Sequence, residues 1–168
     1  MSVFSRIKNK ITRDKKMAEI ADQVNELIAN EPPTEFTKEY FERAKDKAWE
    51  SSYERLDTPR QRFIFDENVK KAIAYVEKEL PAYWIEDKEI YQISRKQLDD
   101  MADAFIFQSH LKDGTRKYHT DEKAEEEMEV HIVFLHRLNG LLAPFSDETE
   151  DKLKVLKDEM LNITHQYI

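Results

Sequence analysis

The chain has 168 residues, of which 37% are charged, a net charge of −8 and no cysteine. Disulfides, iron–sulfur clusters, thiolate zinc sites and cysteine nucleophiles are therefore excluded, and a chain of this length can bury a core without such staples. Nine Phe, seven Tyr and two Trp argue against disorder. Two glycines suit long helices and suit hairpins poorly, because hairpin turns need glycine at positive φ.

The sequence predicts an all-α fold, a single compact and bundle-like domain of about six helices with short connections. Its two parts are an N-terminal helix in residues 1–31 and a helical body in residues 34–168. No apolar run approaches the ~18 residues of a membrane span, and no secretory signal region is evident. We therefore expect a cytoplasmic protein, and nothing in the sequence predicts a cofactor.

The N-terminal segment is basic and amphipathic. Six cations and one acid give it a net +5 through Lys16, so the remaining residues carry −13. Apolar residues recur at helical spacing from Val3 to Ile28, and Pro32 and Pro33 stop the helix. This helix either packs on the body, or binds an anionic membrane surface, nucleic acid or a partner helix. The residues predicted to make such a contact are Phe4, Arg6, Lys8, Lys10, Arg13, Lys15 and Lys16.

Capping signals place the next two helices. Thr37 is a good N-cap, and Phe36 and Phe41 occupy the positions of a hydrophobic staple, which predicts a helix to about Leu56. The run Thr58-Pro59-Arg60-Gln61 combines a capping threonine, proline at the first helical position and glutamine at the third. We assign this third helix an apolar stripe made of Phe63, Phe65, Val69, Ala72, Ile73, Val76 and Leu80.

The middle of the chain is less regular. Residues 82–93 are predicted to form a short helix or an irregular segment, because no partner strand is evident. Ser94 and Gln97 form a capping box that starts the fourth helix, and Gly114 suits its C-terminal end. A polar connection over residues 115–120 follows.

The segment from Asp121 to Ala143 is the most apolar long stretch of the chain. Acids crowd its first half, where carboxylates suit the positive end of a helix, and its second half is apolar on most sides. We predict that it forms the central helix of the core and that it breaks around Gly140 to Pro144. Asp147 with Glu150 is predicted to cap the last helix.

Two acidic spacings resemble known metal-binding motifs. Glu125-Glu126-x-x-Glu129 with Glu148-x-x-Asp151 resembles the pattern of all-α nucleotide pyrophosphohydrolases, which implies Mg²⁺-dependent hydrolysis of a nucleotide. In an antiparallel hairpin these patches would lie roughly 20 Å apart, too far to share a metal ion. Asp99-Asp100-x-x-Asp103 resembles the aspartate-rich motif of prenyl-diphosphate enzymes, but the chain is too short for that fold.

One polar cluster is still predicted from these acids. In an up-down bundle, one pole would carry a divalent-metal site made of Asp99, Asp103, Glu148 and Asp151.

His131 and His136 are five residues apart, about 140° around a helix, and make a poor ligand pair. Each is expected to be a satisfied core or boundary residue.

The leading functional prediction follows by elimination. The chain contains no G-x-G-x-x-G, H-E-x-x-H or G-x-S-x-G motif, and Tyr83, Trp84 and Tyr91 could form an aromatic patch that binds a partner. We expect a non-enzymatic, small acidic protein that binds another protein, as a regulator, adaptor, inhibitor or immunity-type protein does. The alternatives are membrane or nucleic-acid attachment through the N-terminal helix and a metal-dependent enzyme resembling the pyrophosphohydrolases.

Overall fold

The structure, a computed structural model, describes residues 2–110 and 122–166. These residues form six α-helices and one small sheet, so the predicted all-α, bundle-like fold class is confirmed. Gly114, Asp121 and the predicted connection over 115–120 lie outside the described residues. The elements are α1 Val3–Ala29, β1 Thr34–Phe36, α2 Lys38–Arg55, α3 Pro59–Glu79, β2 Trp84–Ile85, β3 Ile90–Ile93, α4 Arg95–His110, α5 Glu122–Leu142 and α6 Asp147–Gln166.

The chain divides into two compact units. The first unit comprises Met1–Glu31 and Phe145–Ile168 and contains α1 and α6, whereas Pro32–Pro144 forms the second unit. Residues 34–168 were predicted to form one body, but the contacts group α6 with α1. Ser146 Oγ donates to the Glu31 carboxylate at 3.1 Å, which joins the end of α1 to the start of α6.

The predicted capping boxes are confirmed. The Gln61 N–H donates to Thr58 Oγ1 at 3.1 Å, and the Thr58 N–H donates back to Gln61 Oε1 at 3.2 Å. Ser94 and Gln97 make the same reciprocal pair at the start of α4. Thr37 accepts the Tyr40 N–H at 3.1 Å and caps α2. These side chains satisfy backbone donors that a helix start leaves free.

The cap of the last helix was predicted one residue too late. Ser146 Oγ, not the Asp147 side chain, accepts the Thr149 N–H, at 3.3 Å. The Ser146 carbonyl accepts the Glu150 N–H at 2.9 Å, so Ser146 is the half-helical residue where an N-cap belongs. Asp147 and Glu150 instead place their charge in the first turn, where the helix dipole favours acids.

α5 is the centre of the second unit, as predicted. The buried apolar residues of its second half are Val130, Phe134, Leu135, Leu138 and Leu142. α2, α3 and α4 each pack against α5. The buried side of α2 includes the small residues Ala44, Ala48 and Ser52, which let the two helix axes approach closely.

The prediction for residues 82–93 is only partly right: short 3-10 turns occupy Leu80–Tyr83 and Glu86–Lys88, but the segment also contains two strands that were not expected. β3 lies in the middle of an antiparallel sheet of order β1-β3-β2, with Tyr91 opposite both Phe36 and Trp84. The turn between β2 and β3 places Glu89 at a φ of 53°, in the left-handed region where glycine was expected. The scarcity of glycine therefore did not exclude a hairpin.

The stripe assigned to the third helix contains one error. Phe63 is 88% exposed, whereas Phe65 is buried. Residues two apart on an α-helix point roughly 160° apart, so these two rings cannot share a face. The buried face of α3 begins at Ile64 and Phe65 and leaves Phe63 in water.

Candidate functional site: the cleft between α2 and α5

The predicted aromatic patch lies at the sheet. The Tyr91 ring is only 9% exposed and lies 5.6 Å from that of Phe36. Trp84 is half-buried, contacts Tyr91 edge-on at 4.9 Å and donates its Nε1 hydrogen to Glu86 at 2.8 Å. Tyr83 packs half-buried against the core. A partner could reach Tyr83 and Trp84 in part, whereas Tyr91 is a core residue.

The predicted metal ligands lie on two helices of different units, Asp99 and Asp103 on α4 and Glu148 and Asp151 on α6. Asp99 Oδ1 accepts from Arg95 Nε at 3.1 Å and from Asn139 Nδ2 at 3.0 Å, which joins α4 to α5. In residues 2–110 and 122–166, no three histidines or acids form a group that could hold a metal ion. Asp99 is thus engaged in packing, and the metal role of the four residues stays a prediction.

Glu126 of the pyrophosphohydrolase-like pattern and the nearby Glu122 contact a neighbouring helix. Arg60 of α3 lies 3.5 Å from the Glu126 carboxylate and 3.8 Å from that of Glu122. Glu129 is exposed at the next turn. These ion pairs link α3 to the start of α5, and the hydrolase function stays a prediction.

A cleft of about 560 Å³ opens between α2 and α5, within the size range of ligand sites. Its α2 residues recur at helical spacing along one side of that helix. The lining residues are Lys47, Glu50, Ser51 and Glu54 from α2, and His136, Arg137, Gly140 and Leu141 from α5. Charged residues from both helices thus line one open groove.

The end of α5 beside this cleft is held firmly by neighbouring side chains. The last carbonyls of a helix lack partners within it. Tyr40 donates its hydroxyl to the Leu141 carbonyl at 2.7 Å, and Thr34 donates to the Leu142 carbonyl at 3.2 Å. Arg95 Nη1 donates to the Ala143 carbonyl at 3.1 Å. The α5 wall of the cleft is therefore fixed before anything binds.

Gly140 has no structural need to be glycine. It lies inside α5, and a Cβ built on it would meet no heavy atom within 4 Å. Glycine in a helix interior costs about 0.5–1 kcal/mol relative to alanine. The space above Gly140 belongs to the cleft, so the missing side chain leaves the helix backbone accessible to an occupant of the cleft.

Arg137 provides a second, independent sign of an occupant. Its Nε is buried and has no hydrogen-bond partner among the described residues. An unsatisfied buried donor costs about 1–3 kcal/mol, and a guanidinium pairs best with a carboxylate or phosphate. Arg137 lines the cleft, and an anionic occupant would reach this buried nitrogen only if the side chain turned toward it.

The charges around the cleft limit what it can hold. Desolvation, followed by the positive charge of Arg95, lowers the pKa of His136, which favours the neutral ring. Lys47 and Arg137 are positive, and Glu50 and Glu54 are negative. The cleft therefore suits an occupant that carries both a carboxylate and a cation.

We expect Gly140→Ala to raise the free energy of unfolding by about 0.5–1 kcal/mol, because it restores helix propensity without a clash. Urea unfolding followed by circular dichroism at pH 7 measures the change. Ala74→Gly, at an exposed position of α3, is the matched control and should lower stability by a similar amount. A loss of stability in Gly140→Ala would show that packing does require this glycine.

The sequence analysis did not single out Arg137 or Gly140. The usable signal was a glycine inside a strongly helical run, one turn after an arginine. Trp49 and Tyr53 of α2 form a separate aromatic pair, whose rings stack at 5.6 Å and contact Phe65 edge-on. Trp49 donates to Asp66 at 3.2 Å, so its polar end is satisfied within the unit.

No protein-family model, curated protein or solved structure matches this chain. Among the helices that the structure describes, none is both long and apolar enough to cross a membrane.

Proposed function

We propose that this chain is a non-enzymatic binding protein whose α2–α5 cleft takes an extended segment of a partner protein. The observation that carries the proposal is the α5 wall of the cleft. There, a helix glycine that no contact requires lies one turn from an arginine whose Nε has no partner. Both features have a cost in the free chain, and a bound carboxylate would offset the second if the Arg137 side chain turned toward it.

The cleft also indicates the chemistry of that segment. The row from Lys47 to Glu54 rises about 10 Å along α2 at 1.5 Å per residue. Three residues of extended chain, at ~3.3 Å each, span the same length. A carboxylate of the segment would pair with Arg137, and a lysine or arginine would pair with Glu50 and Glu54. A regulator, adaptor, inhibitor or immunity protein could each bind a partner in this way.

Site-specific photo-cross-linking tests the proposal in a lysate of the native host. p-Benzoylphenylalanine is placed at Glu50 in the cleft, or at Glu67, an exposed position on α3, as the control. We expect a discrete protein adduct from position 50 and none from position 67. The reason is that a cleft-bound segment lies within reach of only the first position.

Two further variants assign the adduct to the cleft. Arg137→Gln should reduce its yield about tenfold or more, since a charge-assisted hydrogen bond is worth about 1.5–3 kcal/mol. Arg62→Gln, which removes an exposed guanidinium of α3 that does not line the cleft, should leave the yield unchanged. Equal adducts from positions 50 and 67, or a yield independent of Arg137, would contradict the proposal.

A further inference from the structure

The first half of α1 exposes an apolar stripe to water. Val3 is 71% exposed, Phe4 78%, Ile7 54% and Ile11 63%. At about 100° per residue, these four side chains fall within an arc of roughly 100° around the helix axis. A contiguous apolar arc of this kind marks a contact surface, unlike single exposed apolar residues.

This stripe does not continue the packing face of α1, contrary to the continuous pattern predicted from residue 3 to residue 28. Ile20 is buried, and Leu27 lines a cleft with residues of α6. Their direction lies roughly 150° around the axis from that of the stripe. In the first half, the half-buried Ser5 and Thr12 point the same way as this packing face. α1 therefore carries two apolar faces, and only the second lies on the packing side.

Cations border the outward stripe on both sides. Those on one flank are Lys8 and Lys15, and those on the other are Arg6 and Lys10. Asp14 lies at the C-terminal end of the stripe and is paired with Arg13 at 3.2 Å. Lysine and arginine can lay their alkyl stems along an apolar surface and extend their charges outward. This order of cation, apolar arc and cation is the arrangement of an interfacial helix.

We propose that the outward face of α1 binds an anionic membrane surface. The helix would lie in the plane of the headgroups, with Phe4, Ile7 and Ile11 at the acyl boundary and the flanking cations on lipid phosphates and carboxylates. The remaining −13 charge acts weakly beyond a Debye length of ~10 Å at 0.1 M salt. Nucleic acid is a poorer fit, because phosphate contacts would use the cations and leave the apolar arc in water. This proposal is independent of the α2–α5 cleft.

Vesicle flotation with the full chain tests the proposal. The probes are vesicles of phosphatidylcholine alone and vesicles of three parts phosphatidylcholine to one part phosphatidylserine, at ~0.1 M and ~0.5 M salt. We expect binding to the anionic vesicles and at least tenfold weaker binding to the neutral ones. High salt should weaken binding several-fold and leave a remainder, because the apolar contribution is not screened.

Variants identify the face that binds. The triple change Phe4→Gln, Ile7→Gln and Ile11→Gln should reduce partitioning to anionic vesicles at least tenfold, and glutamine keeps the helix propensity. The matched control, Val155→Gln with Leu161→Gln, removes exposed apolar side chains from α6 and should change nothing. Circular dichroism checks that both variants remain helical. Lys8→Gln with Lys10→Gln should weaken binding and flatten its salt dependence.

Three outcomes would overturn the proposal. The first is no binding, or equal binding to the two kinds of vesicle. The second is binding to duplex DNA, in preference to anionic vesicles, that the triple glutamine change leaves intact, which would assign the cations to nucleic acid. The third is a lipid-free dimer in sedimentation velocity that the same change dissociates, which would assign the stripe to a second copy.

Discussion

Acidification from pH 7 to pH 4 should lower the free energy of unfolding by about 3 kcal/mol through His131 alone. His131 Nδ1 lies 2.7 Å from His110 Nε2, and both rings are buried. The Phe105 ring contacts His131 edge-on at 4.8 Å, and Lys71 on α3 adds positive charge. Burial first, and the neighbouring His110 second, lower the pKa of His131 to about 4.

The direction of the effect follows from that lowered pKa. An unfolded histidine takes up its proton near pH 6.5, whereas folded His131 does so only near pH 4. Between these two pH values the unfolded state binds more protons than the folded state, so the free energy of unfolding decreases as the pH is lowered. The part of the free energy of unfolding that depends on neutral His131 is fully present above about pH 6.5. It is lost as the pH falls to about 4 and changes no further below that.

Urea unfolding at a series of pH values from 7 to 4 measures this dependence. His131→Gln should be less stable than the unmodified chain at pH 7 and should show a flatter pH profile. His165→Gln removes an exposed histidine of α6 and is the matched control, with a profile like that of the unmodified chain. Parallel profiles for the unmodified chain and His131→Gln would contradict the prediction.

Asp99→Ala should lower the free energy of unfolding by about 2–3 kcal/mol. The Arg95 side chain is 7% exposed and donates to Asp99 at 3.1 Å, so the change leaves a buried guanidinium without this carboxylate. Breaking a fully buried pair costs about 3–5 kcal/mol, and the 33% exposure of the Asp99 side chain reduces that figure. Asn139 also loses its acceptor.

Asp103→Ala is the matched control one turn along the same helix. Burial, followed by the charges of Asp99 and Asp100, raises the pKa of Asp103, so its charged form is disfavoured in the folded state. Its removal should cause no loss of stability in urea unfolding at pH 7.

The same experiment with added Mn²⁺ tests the predicted metal role. Stabilisation by Mn²⁺ that both variants abolish would make Asp99 a ligand rather than a packing residue.

The features that the sequence predicted well depend on neighbours within a few residues. The boxes of Thr58 with Gln61 and of Ser94 with Gln97 close over three residues, so their chemistry is complete in the local sequence. The apolar second half of α5 is equally local, because its side chains need a core whatever partners surround it. Ser146 shows the limit of such signals, because adjacent Ser and Asp are both good caps.

The sheet was missed because the β1–β3 pairing is distant in sequence and all three strands are short. Thr34 pairs with Ile93 across the chain, and β1 and β2 have three and two residues. Such lengths give no recognisable alternation. Glu89 adopts the conformation usually given to glycine, at a cost of about 1–2 kcal/mol that the surrounding contacts must offset.

The α2–α5 cleft and the direction of the α1 stripe escaped prediction for a different reason, although Phe4 and the cations of α1 were predicted as contact residues. Periodicity shows that a helix has an apolar face but does not identify its direction. From Ile11 to Ile20 a helix turns about 900°, which places the second residue opposite the first. The cleft likewise depends on the approach of α2 to α5, which no local pattern contains. Only the glycine at position 140 carried a local signal of it.

The order of synthesis has a consequence for how the two units assemble. Thr34 donates to the carbonyls of both Ile93 and Leu142, so the beginning and end of the second unit meet at one side chain. During translation this unit cannot close until Leu142 has left the ribosome. The first unit waits longer, because α1 emerges first and α6 last. A nascent chain can therefore complete the second unit, Pro32–Pro144, before the first. Helix α1 has no α6 to pack against until α6 has also been synthesised.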